Sequence, residues 1–435
     1  MRSELQVRPT DEARELVRMG FQEIEGAIGA LHSVHGSIAE RAFRRTGPGG
    51  MPAHWMHDRI AGAVYGGLRG SVRGAGTLAS VAVARRPGFA AKLASTTPRG
   101  AALTAAINGL IGDTLERRQS PLVQPMSVRV AGEPVGLTRA ELDAAYPTAT
   151  PRIAIFLHGL METEFSWHWG EQRTGDSYGA LLEHEFGITP VYVRYNSGRR
   201  ISDNGRSLAD LVEQVVANWP VPVRDVALVG HSMGGLVARS AVYQASEDRL
   251  VWPTLVRHTI SLGTPHFGAP LEQFVHWASA GLNVLPETRP MSRFLRRRSG
   301  GIRDLRQGSL VDSDWRDCDP DALRAQACAE VPLAEGVTHC FVTATITRSP
   351  KHPLGRLIGD CLVLQPSGSG VSRTRRVGFD EAYGHHVGGA HHFALLNHPA
   401  VYDKLRAWLS SPASGSRPAL PSPGSGTSSP SSSRS

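Results

Sequence analysis

The stretch VALVGHSMGGLVARS, residues 226–240, constrains the fold more than any other part of this sequence. An apolar run ends at Gly230, Ser232 stands between Gly230 and Gly234, and a helix-like pattern then begins. A strand, a tight bend and a helix in this order expose the serine oxygen at the end of the strand, and the bend requires small flanking residues. The N–H groups of the following helix favour negative charge at the same place. The pattern predicts a nucleophilic serine, with an inert turn as the alternative.

Apolar runs and amphipathic segments alternate on both sides of this stretch. Alternation over 126–137, with Gly132 available for the turn, predicts a β-hairpin. Further strands are expected at 152–159, 189–197, 225–230, 257–265 and 338–347, and helices at 207–219 and 234–246. Strands that alternate with helices form a mostly parallel sheet with helices on both faces, so the predicted fold class is α/β.

Three other regions differ from this predicted α/β domain, which covers residues 125–410. Residues 1–124 are expected to be a helical N-terminal region, because apolar residues recur at helical spacing in its first 72 residues. Between about 268 and 336 the alternation lapses, which predicts a cap insertion over one end of the sheet. Residues 411–435 are almost entirely Ser, Pro and Gly and predict a disordered tail.

Charge and cysteine content limit the partners of this 435-residue chain. Its net charge of +8 comes from scattered arginines without any nucleic-acid-binding pattern, so no nucleic-acid partner is expected. None of its four cysteines forms a CxxC pair, so no metal site is expected. The sequence contains neither a secretory signal nor 18 consecutive apolar residues, which predicts a cytoplasmic location. For residues 1–115, peripheral membrane contact and packing on the rest of the protein remain alternatives.

A serine hydroxyl is a weak nucleophile unless a neighbouring base takes its proton. In chains with this bend the base is a histidine that lies late in the sequence, after an acid. The segment 384–409 contains the histidines His385, His386, His391, His392 and His398. His398 precedes Pro399, the expected first residue of a final helix, so we expect a structural role for it. His392 ends a glycine-containing loop and is the favoured base, with His391 as the alternative.

The acid is expected after the strand at 338–347. Asp360 follows Gly359 and precedes a short apolar run. A carboxylate at this point would orient the histidine and stabilise its charged form, whereas a turn-capping aspartate is the alternative. Rival aspartates inside the predicted insertion are Asp304, Asp312, Asp314, Asp317 and Asp319.

Two N–H donors are also needed for the oxyanion that develops during attack on an ester. One is the N–H of the residue after the serine, Met233, and the other comes from the loop after an earlier strand. The segment IFLHGLMETEFSW, residues 155–167, fits that loop and makes the Leu160 N–H the second candidate donor. His158 in the same segment is expected to be structural.

Together these segments resemble the α/β-hydrolase superfamily in its lipase and esterase branch. Within that branch the chain is similar to bacterial esterase- and lipase-like proteins and to GPI inositol-deacylase-like (PGAP-type) hydrolases. The matching segments are FLHGLMET, RYNSGRRISDNGRSLADL, LVGHSMGGLVAR, SLGTPHFGAP, GDCLV and HFALLNHPAVYDKL. The chain departs from the family pattern where Cys361 follows the acid and where the doubled His391–His392 leaves the position of the base open by one residue.

The resemblance implies a serine hydrolase with an α/β-hydrolase fold that cleaves soluble or lipid carboxylic esters through an acyl-enzyme, without a metal or organic cofactor. It implies Ser232 as nucleophile, His392 as base and Asp360 as acid. An acyltransferase or thioesterase with the same triad, and a non-catalytic membrane-associated protein that keeps the fold, are the alternatives. Aromatic residues that fit either an acyl pocket or ordinary core packing are Phe165, Trp167, Trp169, Phe267 and Trp277.

Overall fold

A computed structural model describes residues 7–44, 51–85, 93–269, 299–316, 328–372 and 375–410. Its strands in chain order are β1 Ser127–Val130, β2 Glu133–Pro134, β3 Arg152–Leu157, β4 Thr189–Arg194, β5 Asp225–His231, β6 Val256–Leu262, β7 Thr338–Thr345 and β8 Gly384–Gly388. They form one eight-stranded sheet in the order β2-β1-β4-β3-β5-β6-β7-β8. Strand β1 pairs antiparallel with β2 and β4, and all other neighbours in the sheet are parallel.

This sheet confirms the predicted fold class, a mostly parallel α/β-hydrolase sheet. Two local features differ from the expectations. Strand β8 is not among the expected strands, since its sequence GHHVG has no apolar run, and it is a strand because it pairs along its length with β7. The helix expected at 207–219 begins earlier, at Ile201. There the Asp304 carboxylate, distant in sequence, accepts the Ile201 N–H at 2.8 Å and satisfies the start of the helix.

Helices cover both faces of the sheet. In chain order they are α1 Pro9–Arg44, α2 Met51–Arg85, α3 Pro98–Arg117, α4 Arg139–Ala145, α5 Tyr178–Phe186, α6 Ile201–Asn218, α7 Met233–Glu247, α8 Gly300–Asp304, α9 Pro353–Ile358, α10 Gln365–Gly368 and α11 Pro399–Ser410. Short 3-10 helices lie at Ala94–Thr96, Glu164–His168, Glu171–Arg173, Trp252–Leu255, Asp312–Asp314, Glu381–Tyr383 and His392–Leu395.

The alternation of side chains along β3 divides the core into two layers. Ile153, Ile155 and Leu157 belong to a buried cluster with residues of α6 and α7. Ala154 and Phe156 point to the other face and join a second cluster with residues of α5 and α11. Because neighbouring residues of a strand face opposite sides, one continuous apolar run supplies both layers.

Hydrogen bonds join the N-terminal helices to the sheet. The buried Glu12 of α1 accepts the N–H groups of Ala94 and Ser95 at 2.5 and 3.2 Å. Asn196, which follows β4, donates its amide to the Gly112 carbonyl of α3 at 3.1 Å. Among the described residues, no helix is both long and apolar enough to cross a bilayer.

The domain boundaries at residues 124 and 410 stay predictions. Of the predicted insertion, 270–298 and 317–327 lie outside the described residues, as does the predicted tail at 411–435. The described part of the insertion includes α8, which packs near α3: the Ser299 hydroxyl donates to the Gly109 carbonyl at 2.6 Å.

A buried ion pair connects three of these segments. Arg194 at the end of β4 is fully buried and donates from Nε to Glu164 at 2.5 Å. A second guanidinium nitrogen donates to the other Glu164 oxygen, and Nη1 donates to the Ser95 carbonyl at 2.6 Å. Removing one member of such a pair leaves an uncompensated charge away from water. The pair therefore ties β4 to the 3-10 helix Glu164–His168 and to the segment before α3.

We expect Glu164→Ala to lower the free energy of unfolding by about 3–5 kcal/mol, because Arg194 would stay buried without its carboxylate. Urea denaturation of the full chain measures the change. Glu247→Ala, at an exposed position near the end of α7, is the control and should change stability by less than about 0.5 kcal/mol. Equal, small effects of both substitutions would contradict a structural role for the pair.

Candidate active site

Ser232 lies at the sharp turn between β5 and α7. Its backbone has φ 53° and ψ −121°, a conformation that residues other than glycine rarely adopt. A Cβ on Gly230 would lie 2.4 Å from the Gly235 nitrogen, and one on Gly234 would lie 2.2 Å from the Leu157 carbonyl oxygen. The turn therefore has no room for a side chain at either flanking glycine.

The structure brings Asp360 and His392 into contact. Asp360 Oδ2 lies 2.8 Å from His392 Nδ1, and Oδ1 accepts the N–H groups of Leu362 and Val363 at 2.9 and 2.7 Å. Both side chains are almost completely buried, and His392 Nε2 has no hydrogen-bond partner among the described residues. With Nδ1 donating to the carboxylate, the lone pair of Nε2 is free to accept a proton.

The other late histidines have different surroundings. His391 is exposed. His385 and His386 lie on β8, where both ring nitrogens of His386 bond to threonine hydroxyls of β7 at 3.1 Å. His398 caps α11, because its Nδ1 accepts the Ala400 N–H at 3.2 Å. The contact with Asp360 thus distinguishes His392 from its neighbour.

The rival aspartates are engaged elsewhere. Asp304 pairs with Arg200 and Asp312 pairs with Arg206. Asp314 accepts backbone N–H groups of the insertion. The aspartates at 317 and 319 lie outside the described residues.

The two candidate oxyanion donors are unengaged. In the loop after β3, the Gly159 N–H donates to the Glu162 carboxylate at 2.9 Å and the Glu162 N–H donates to the Gly159 carbonyl at 3.3 Å, which closes a tight turn. The Leu160 N–H inside this turn and the Met233 N–H at the start of α7 form no hydrogen bond within the described part of the chain. Both remain available for a ligand.

His158 has a structural role, as its contacts with Tyr195 show. Its buried ring stacks on Tyr195 with centroids 4.2 Å apart, and its Nε2 accepts the Tyr195 N–H at 3.2 Å. Burial lowers the pKa of His158 to about 4, so the ring is neutral at pH 7. It supports the loop after β3 without facing a reacting group.

A cavity of about 1680 Å³ is lined by both Ser232 and His392. Apolar side chains that line it are Leu160, Leu362, Val363, Ile302 and Phe393. Residues of α1 and α3 also line it: Met19, Gln22, Glu23, Ile107, Leu110 and Ile111. The periodicity of the N-terminal region predicts helices but contains no signal that they would form part of this cavity.

Only some of the aromatic residues expected near the serine are found at this cavity. Trp169 lines it. Trp167 is buried edge-on against Phe156, as a core residue. Phe267 lines a different cavity, and Trp277 lies outside the described residues.

Sequence reasoning missed a buried pair beside the catalytic candidates. Glu162 and His231 are both buried, with Oε1 and Nδ1 2.9 Å apart. The His231 ring centroid is 4.8 Å from that of His392. The signal in the sequence was a histidine at the end of an otherwise apolar strand, but nothing in the spacing linked it to Glu162.

Glu162 and His231 stabilise each other's charged forms. Burial opposes both charges, but the charge and hydrogen bond of Glu162 outweigh it and raise the pKa of His231 above 6.5. The charge and hydrogen bond of His231, with the Gly159 N–H, likewise lower the pKa of Glu162 below 4.5. The pair therefore lies directly next to the ring of His392 and under the loop that carries Leu160.

The known proteins that this chain matches include one family and two lipases. The PGAP1-like alpha/beta domain family matches residues 193–315. A triacylglycerol lipase of Burkholderia plantarii is 35% identical over 153 residues, which cover 32% of this chain and 38% of the lipase. One of Pseudarthrobacter phenanthrenivorans is 35% identical over 136 residues, which cover 29% of this chain and 37% of the lipase. The chain thus spans less than two fifths of the length of these relatives.

Solved structures similar to this chain include the esterase Pf2001 of Pyrococcus furiosus, with 11% identity, a TM-score of 0.33 and coverage of 60% of this chain and 82% of the esterase. RedJ with a bound PEG molecule has 17% identity, a TM-score of 0.33 and coverage of 60% of this chain and 90% of RedJ. The strand order and pairing, rather than these similarities, establish the fold.

We expect Glu162→Gln to destabilise the protein by about 2 kcal/mol, because hydrogen bonds to charged groups contribute about that much. The raised pKa of His231 gives stability that is present below 6.5 and lost as pH rises through the folded value. The lowered pKa of Glu162 gives stability that is present above 4.5 and lost as pH falls through the folded value. The destabilisation by Glu162→Gln should therefore be largest between pH 4.5 and pH 6.5.

Urea denaturation of both proteins from pH 4 to pH 9 measures this difference. Glu171→Gln is the matched control, because Glu171 forms an exposed pair with His168 at 3.2 Å. Its effect should be small at every pH. A pH-independent effect of Glu162→Gln would show that the buried pair is not ionised as described.

Proposed function

We propose that this protein, an α/β-hydrolase of the lipase and esterase type, hydrolyses carboxylic esters with Ser232 as nucleophile, His392 as base and Asp360 as acid. The observation that carries the proposal is the buried 2.8 Å contact between Asp360 and His392 Nδ1. Among the described residues His392 Nε2 has no partner, and the ring lines the same cavity as Ser232. A histidine oriented in this way is the general base that a serine needs.

The first half of the proposed reaction acylates the serine. His392 Nε2 takes the proton of the Ser232 hydroxyl while its oxygen bonds to the ester carbonyl carbon. The carbonyl oxygen becomes an oxyanion, which the N–H groups of Leu160 and Met233 stabilise; one such donor contributes about 3 kcal/mol in other serine hydrolases. The intermediate then expels the alcohol, which leaves with the proton from His392.

The second half releases the acid. His392 takes a proton from water, whose oxygen attacks the acyl carbon. The tetrahedral intermediate expels Ser232, which regains the proton from His392, and the carboxylic acid departs. Asp360 keeps the imidazole in the required tautomer throughout and stabilises the imidazolium that forms in each half.

An ester with an apolar acyl group fits the cavity. Its volume of about 1680 Å³ exceeds the roughly 300–1,000 Å³ of pockets for drug-sized ligands, and apolar side chains line it near Ser232. The named activity of the similar lipases agrees with a lipid ester. Acyl transfer would use the same groups with an alcohol in place of water, and product analysis with an added alcohol separates the two reactions.

Contact with a membrane surface through residues 1–115 is a further part of this proposal. Along α2 the side chains of Met56, Ile60, Val64 and Leu68 are all about half exposed. Their spacing of four residues aligns them on one side of the helix. An exposed apolar row of this kind suits a lipid interface.

We expect a fluorophosphonate probe to label the full-length protein and Ser232→Ala to abolish the labelling, because the probe reacts only with an activated serine. Labelling is read on a gel and the labelled residue by mass spectrometry. Ser246→Ala, an exposed serine on the same helix, is the control and should label like the wild type. A folded wild type that does not label would favour the non-catalytic alternative and overturn this proposal.

The adjacent histidines provide a matched pair of variants. His392→Ala should lower kcat for p-nitrophenyl octanoate by at least about 10³-fold, because it removes the base. His391→Ala should change kcat less than about twofold, since its side chain is exposed and does not contact Asp360. The reverse result would move the base to His391.

A further inference from the structure

A second cavity lies on the other side of the segment after β6. It has a volume of about 360 Å³ and is lined by Arg239, Arg375 and His266. Pro265 lines the large cavity of Ser232, whereas the next residue, His266, lines the second one. Arg239 lies on α7, seven residues after Ser232. None of the steps proposed for ester hydrolysis uses this second cavity.

Three arginines line this cavity, and the exposed Arg376 is one of them. The other two, Arg239 and Arg375, lack carboxylate partners among the described residues. Within the described ranges, no carboxylate oxygen lies within 4.0 Å of Arg239 or Arg375. Glu330 lines the cavity but pairs with neither arginine. Arg239 donates to the Val331 carbonyl at 3.2 Å, and the Arg375 guanidinium lies over the Phe267 ring at 5.1 Å. These contacts orient the two groups without neutralising them.

The charges of Arg239 and Arg375 repel each other. Burial and the nearby charge of Arg375 lower the pKa of Arg239 to about 10. The group remains charged at pH 7, so the protein keeps two cations together at a site with restricted access to water. Such an arrangement costs free energy unless an anion compensates it.

His266 contacts one of these guanidinium groups. Its Nδ1 lies 3.3 Å from Arg239 Nη1, and because a guanidinium only donates, Nδ1 is the acceptor. Burial and the charge of Arg239 hold the pKa of His266 well below 6.5, so the ring is neutral and its proton is on Nε2. His266 is 1% exposed and its Nε2 has no partner among the described residues. His266 thus orients the Arg239 guanidinium without adding a charge to the cavity.

We propose that this cavity is an oxyanion-binding site, in which a phosphate group or a carboxylate bonds to the guanidinium groups of Arg239 and Arg375. Guanidinium groups bind both kinds of anion through paired N–H donors, and a ligand there needs acceptors only. A volume of about 360 Å³ accommodates inorganic phosphate or a short carboxylate together with water. The site is separate from the ester-hydrolysing site, so its test does not depend on activity.

The experiment titrates the full-length protein with inorganic phosphate and, in a second arm, with acetate. Binding is measured by isothermal titration calorimetry and by the shift in Tm, against sodium chloride at equal ionic strength. We expect saturable binding that raises Tm in at least one arm. The arm that responds identifies the anion as a phosphate type or a carboxylate, and either result supports the site.

Arg375→Gln tests the assignment of the cavity. Arg375 is only partly buried, and its side chain forms no ion pair in the described part of the chain, so the variant should fold. Loss of a charged donor should weaken binding at least about tenfold. Arg356→Gln, an exposed arginine on α9, removes the same charge elsewhere and should bind like the wild type. No binding of either anion, or equal binding by both variants, would overturn the proposal.

Discussion

The close approach of α7 to the sheet is the constraint on which the candidate site depends. Gly234 lies so near the end of β3 that a methyl group there would overlap the Leu157 carbonyl, and one on Gly235 would lie 2.1 Å from the Thr264 hydroxyl. The Ser232 N–H donates to the Leu262 carbonyl at 2.8 Å and fixes the turn to β6. Packing against both neighbouring strands therefore holds the unusual backbone of Ser232. Without this packing, a shift of α7 would release the strain in the Ser232 backbone.

The loops around this turn are held by hydrogen bonds of their own. Asp360 accepts two backbone N–H groups with the oxygen that does not face His392, so the carboxylate is fixed before it contacts the ring. The adjacent backbone has positive φ at Gly359 and Cys361, which bends the loop back on itself. Glu162 acts similarly after β3, where one carboxylate accepts the Gly159 N–H and the His231 ring. Two carboxylates thus position two loops on either side of Ser232.

The sequence was sufficient where local pattern and function coincide. Apolar runs predicted the central strands, and the glycines around Ser232 predicted the turn. Both features depend on residues that are neighbours in the chain. Strand β8 was missed, since its stability comes from pairing with β7 rather than from its own residues. The contact between Glu162 and His231 was missed for the same reason: it joins positions 69 residues apart. Periodicity predicts the helix α1 but carries no information on which cavity it lines.

The segment after β6 lies between the two cavities: Pro265 lines one of them, and the next residue, His266, lines the other. The hydrogen bonds of this segment determine how far one cavity can affect the other. The His266 N–H bonds to the carbonyl groups of Thr264 and Ser367, at 3.0 and 3.2 Å. The Ser367 hydroxyl accepts the Phe267 N–H and donates to the Gly268 carbonyl. Because Ser367 belongs to α10, these hydrogen bonds attach the backbone between the cavities to that helix. An anion beside His266 would be bound by side chains that extend from a fixed backbone, so the strained turn at Ser232 keeps its geometry whether or not that anion is present.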